Sequence, residues 1–77
     1  MDGLKLVKMA NEIAAFWAAD PDQATALEGL VGHIRRFWEP RMRRQLVTWV
    51  DEQGHAALHP LVRQALAARR KDLLPTG

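Results

Sequence analysis

The side chains of this chain best equipped for chemistry crowd into one octapeptide, FWEPRMRR at positions 37–44, with Arg35 and Arg36 immediately before it. Ten positions thus hold five of the eleven lysines and arginines, and five arginines against Glu39 leave that stretch at +4. Residues 1–34 sum to −3 and the remainder to +1, so a net charge of +2 conceals a strongly positive corner. Guanidinium forks take carboxylates and phosphates two bonds at a time. Arg35 and Arg36 fall in the last turn of a predicted helix, where the helix dipole alone favours cations. Arg41, Arg43 and Arg44 fall in the first turns of the next helix, where the dipole disfavours them. An anion offsets that cost, because the free amides of a helix start already attract one. Glu39 is the competitor within the chain.

Aromatic side chains interleave with these cations. Neighbours on a helix point about 100° apart, so Phe37 and Trp38 cannot both face one narrow core, and neither can Phe16 and Trp17. At least one member of each pair belongs at a rim, and tryptophan beside arginine is the composition of a binding hot spot. The candidate partner- or anion-binding set is therefore Arg36, Trp38, Pro40, Arg41, Met42, Arg43 and Arg44, with His33 and Trp17 as secondary candidates. His55 and His59 have the spacing of a metal pair, but Gly54 and Pro60 bracket them and no third ligand is evident, so no metal site is expected. The chain has no serine, cysteine or tyrosine. Catalysis would need an acid or histidine in a pocket that 77 residues can hardly enclose, and no catalytic residue is expected.

The size of the chain sets the remaining bounds. A domain of this length hides only about 60 % of the surface its unfolded chain exposes. Without cysteine, a disulfide, an iron-sulfur cluster or a thiolate zinc framework is excluded, and a partner chain becomes the leading stabiliser. Lys5, Lys8 and Glu12 interrupt the first twenty residues, which therefore lack a signal-peptide core or a membrane-length apolar run. A soluble, cytoplasmic protein with no membrane contact is expected.

The elements that must position the arginines are all helical. Leu6, Ala10, Ile13, Phe16 and Trp17 recur at steps of three and four, giving a helix over about 3–19. Asp20 and Pro21 read as the cap and first position of a second helix over about 21–38, striped by Ala24, Leu27, Leu30, Val31, Ile34 and Phe37 or Trp38. Gly29 and Gly32, with Ala26, would leave a shallow groove on it. Pro40 starts a third helix over about 40–52, carrying Met42, Leu46, Trp49 and Val50 and closed by Gly54. Pro60 opens a fourth over about 60–72 with Leu61, Val62, Ala65, Leu66 and Leu73. No segment alternates with period two. The fold class is all-α, a compact bundle of four short helices forming one domain over 1–77.

Three stretches, MANEI at 9–13, HIRRFWEPRMR at 33–43 and LHPLVRQAL at 58–66, resemble in order and spacing the delta subunit of NAD-dependent, molybdenum-containing formate dehydrogenases. The likeness spans about residues 4–68. Glu39 stands where that family commonly has aspartate, and Trp49 where it has smaller or polar residues. The resemblance implies a non-catalytic accessory subunit whose partner is the large catalytic subunit, the bearer of molybdenum bis(molybdopterin guanine dinucleotide), and a role in assembly or cofactor insertion. On that reading the arginines meet acidic residues of the large subunit or phosphates of its cofactor, and this chain alone binds no cofactor. Two other classes are a nucleic-acid binder, disfavoured by the acidic first two helices, and a self-associating bundle.

Overall fold

In a computed structural model, residues 2–74 are described and all regular structure among them is helical. Helix α1 spans Gly3–Trp17, α2 Gln23–Phe37, α3 Pro40–Gln53, α4 Pro60–Ala68 and α5 Arg70–Leu73. The extents, 31 × 27 × 19 Å, make the smallest dimension about two helix diameters. Helix α1 packs on α2, α3 and α4, while α2 also packs on α4 and α5. Trp17 lies over Gly29, and Ile13 and His33 wall the same hollow, so α1 and α2 run antiparallel.

The core is built from the expected stripes. Leu6, Ala10, Leu30, Val31, Ile34, Leu46, Val50, Leu61, Val62, Ala65, Leu66 and Leu73 are buried. No polar side chain joins them. Two predicted stripe members lie outside: Ala24 is exposed, and Phe16 is 73 % exposed with its ring edge-on to Trp17 at 5.4 Å. At the α2 terminus the choice between neighbours is resolved the same way, with Trp38 in the core at 5 % exposure and Phe37 outside at 69 %.

Side-chain caps open α1, α2 and α4. Asp2 accepts from the Leu4 amide and opens α1. Helix α2 starts two residues later than the Asp20-Pro21 reading gives. Asp22 is the cap, accepting from the Ala24 amide and the Thr25 hydroxyl, while Asp20 accepts from the Asp22 amide and holds the turn. Asp22 wins because both its oxygens find donors, whereas Pro21 offers none. Gly54 ends α3 with φ of 90° and ψ of −175°, a conformation essentially restricted to glycine, though not the left-handed helical one expected.

The predicted fourth helix is two. Arg69 leaves helical geometry at φ −128°, ψ 30°, and α5 begins after it. The break lets the Arg69 guanidinium reach Glu28 of α2 and Asp72 of α5 together, and carries Leu73 into the core. Neither partner is visible to the local period of the sequence.

Asn11 is a clamp that periodicity does not reveal. Its Nδ2 donates to the Ala57 carbonyl at 2.8 Å, and its Oδ1 accepts from the His59 amide at 2.8 Å. One amide thereby ties α1 to the loop before α4. His59 in turn caps α4, its Nδ1 accepting from the Leu61 amide at 3.0 Å. The spacing of His55 and His59 thus reflects capping geometry, with the His55 carbonyl accepting from Arg63 Nε.

Gly29 has a steric reason: a Cβ there would stand 2.1 Å from Trp17 Cε3, inside the indole. Ala26, expected to line the same groove, is instead core. Two outcomes are expected in thermal or urea unfolding. Gly29→Ala should destabilise by about 1–3 kcal/mol through overpacking, despite alanine's higher helix propensity. Asn11→Ala, which strands the His59 amide and the Ala57 carbonyl, should cost about 1–2 kcal/mol, and its unfolding midpoint should fall by several degrees.

Candidate partner interface

The α2–α3 corner is formed by two extended residues. Trp38 (φ −93°, ψ 131°) closes α2, its amide donating to the Ile34 carbonyl at 2.9 Å, and Glu39 (φ −63°, ψ 152°) precedes α3. The Glu39 side chain makes no cap bond, and Pro40 has no amide, so the opening turn of α3 is uncapped by its own flank.

The expected site residues separate into two groups. Arg36, Arg41 and Arg44 are exposed, and among the described residues none of them makes an ion pair or a side-chain hydrogen bond. Pro40 is exposed beside them. Arg43 is different: it is half-buried, and its guanidinium donates to the Leu73 carbonyl at 3.4 Å, while Nε is sealed without an acceptor among the described residues. This side chain ties α3 to the end of α5. The sequence reading of Arg43 as a surface contact is therefore corrected, because the α5 turn lies over it.

Trp38, expected among the contact residues, is buried. Its indole is interior, so the exposed aromatic next to the arginines is Phe37. Met42 is half-buried and packs on the core. Of the secondary candidates, Trp17 is half-buried over Gly29, and His33 is half-buried with Phe37 tilted on its ring at 4.8 Å.

The chain's own ion pairs sit elsewhere. Arg69 bridges Glu28 and Asp72, and Arg70 meets Asp51 at 2.6 Å. The bond from Arg69, with the charge of Arg35 adding to it, holds the Asp72 carboxyl below the usual carboxylate range. Donation by the Thr25 hydroxyl, and then by the Ala24 amide, lowers Asp22 likewise. The paired acids thus bond to Arg69 and Arg70, not to Arg36, Arg41 or Arg44. Among the described residues no three acid, histidine or cysteine side chains gather as a metal site, and no helix is long and apolar enough to cross a membrane.

Beside the corner, an open groove of about 520 Å³ runs along α2 between Trp17 and Phe37, floored by Gly29 and Gly32. Nothing lies within 4 Å of where a Gly32 Cβ would be. The sequence reading places a shallow groove here from Gly29 and Gly32, two glycines that are costly inside an amphipathic helix without a packing reason.

Residues 5–66 match the family described as NADH-dependent formate dehydrogenase delta subunit FdsD. The chain belongs to this family. Neither a curated protein nor a solved structure matches it. The delta-subunit match covers the clamp residue Asn11, the arginine corner, the α2 groove and the His59 cap, and it stops before Arg69 and α5.

Because folding depresses the Asp72 and Asp22 carboxyls, their stabilisation is complete above the ordinary carboxylate value and is lost as pH falls through the lowered one. Unfolding free energy should therefore hold from neutrality down to about pH 4 and decline below it. Asp72→Asn should lower stability at neutral pH and flatten that acid limb, as measured by urea titrations at several pH values.

Proposed function

We propose that this chain is a non-catalytic delta subunit that docks on the large, molybdenum-cofactor-bearing subunit of a cytoplasmic NAD-dependent formate dehydrogenase and supports its assembly or cofactor insertion. The observation that carries this reading is the trio Arg36, Arg41 and Arg44. All three flank the α2–α3 turn, are exposed, and meet no carboxylate among the described residues.

An anionic counterpart is what this corner lacks. The uncapped opening turn of α3 supplies amides, and the arginines supply forked donors to the same side. Carboxylates of the large subunit or phosphates of its molybdopterin guanine dinucleotide both suit that donor set. In this reading formate oxidation belongs to the large subunit, and the present chain contributes binding and positioning and no cofactor of its own. Arg43 and Trp38 act from inside, fixing the corner from which the exposed arginines project. Membership in the delta-subunit family supports a subunit of formate dehydrogenase as the partner.

The acidic character of residues 1–34 works against an extended polyanion such as nucleic acid, whose footprint would need several phosphate contacts at once. A compact anionic patch is the better match.

The test is co-expression with the large subunit. Arg41→Glu combined with Arg44→Glu should reduce co-purification at least tenfold and lower the molybdenum content of the large subunit. The helical spectrum of the isolated variant should be kept and its unfolding midpoint should be no lower, because neither side chain is used in the fold and acids suit the start of α3. Undiminished yield and molybdenum occupancy would overturn the reading.

A further inference from the structure

The arginine corner leaves the aromatic groove on α2 unexplained. Phe16 and Phe37 are the two most exposed large apolar side chains among the described residues, and both belong to its surroundings. Each rests on a fixed support, Phe16 edge-on against Trp17 and Phe37 against His33. A second hollow of about 370 Å³, walled by Ile13, Phe16, Trp17 and His33, adjoins the first through their shared Trp17 and His33. Two aromatic ridges therefore flank a floor whose deepest opening is Gly32.

We infer that this groove seats one helical segment of the catalytic subunit, which places an aliphatic side chain over Gly32 between the ridges and a carboxylate on Arg36. The inference rests on the docking reading above and adds a second surface to it. Length favours a helix: the groove follows α2 from Thr25 to Phe37, about 18 Å at 1.5 Å per residue, or roughly three turns. At Gly32, where no side chain stands, a second helix can approach closely, with its i, i+3 and i+4 side chains lying along the trough.

Charge selects what the segment carries. Glu28 lines the groove but is already bridged by Arg69. Arg36 lines it too and has no such partner among the described residues. An acid on the segment is thus favoured at Arg36 and disfavoured at Glu12, which lines the second hollow. The segment acquires a polarity. Arg36 also belongs to the arginine corner, so groove and corner form one continuous surface on which the apolar half supplies burial and the cationic half supplies direction.

Gly32 makes the groove testable, since a Cβ there meets nothing of this chain within 4 Å and a larger side chain can extend into the open trough. Gly32→Trp should fill the trough, leave the helical spectrum intact and the unfolding midpoint no lower. Co-purification with the catalytic subunit should fall at least tenfold. Arg36→Ala should weaken it several-fold, with a shallower salt dependence than the parent. If the parent binds the catalytic subunit and Gly32→Trp binds equally well, the groove inference is overturned while the docking reading stands. If the parent itself does not bind, both fail. Sedimentation of the isolated chain supplies the remaining outcome: a dimer abolished by Gly32→Trp, with binding to the catalytic subunit unaffected, would assign the groove to a second copy and overturn the inference.

Discussion

Burial of one indole organises the functional face of this molecule. Trp38 sits in the core at the point where the chain stops being helical, and removing a tryptophan of that size from water contributes on the order of 4–6 kcal/mol. In a bundle this small that term is hard to replace. Once Trp38 is inside, Phe37 must be outside, because the side chains of adjacent residues diverge. The extended Trp38-Glu39 pair then turns the chain into α3 and presents Arg41 and Arg44 beside Arg36. Outward arginines and an inward tryptophan are two results of one constraint.

The same economy governs polar groups. A thin core has no room for a buried charge, and none of its members is polar. The chain instead spends its hydrogen bonds at the joints: Asn11 on the loop before α4, His59 on the first turn of α4, Arg43 on the end of α5, and Arg69 between Glu28 and Asp72. Each bond joins segments distant in sequence or closes a helix end. Arg36, Arg41, Arg44 and Phe37 are exposed and take no part in these bonds, and Arg36 and Phe37 both line the groove on α2.

The three stretches that resemble the delta subunits divide between these roles. MANEI carries the Asn11 clamp and LHPLVRQAL carries the cap it grips, so these two meet in space and maintain the fold. HIRRFWEPRMR supplies the core through Ile34 and Trp38, the α5 tie through Arg43, and the open face through His33, Arg36, Phe37 and Arg41. A short motif can thus be structural at one residue and available at the next.

The four longer helices were legible in the sequence because they depend on local terms: apolar residues at steps of three and four, prolines that open α3 and α4, and Gly54 past the end of α3. The charge corner was legible for the same reason. Tertiary structure alone decided which of two adjacent aromatics goes inside, since both satisfy the period and only the packing partner differs. It also decided that Arg43 ties α3 to α5, that Arg69 breaks the last helix to reach Glu28, and that the Trp17 indole covers Gly29 while Gly32 stays open. Those outcomes depend on contacts across twelve to forty-one residues of sequence, and a local period holds no information about them.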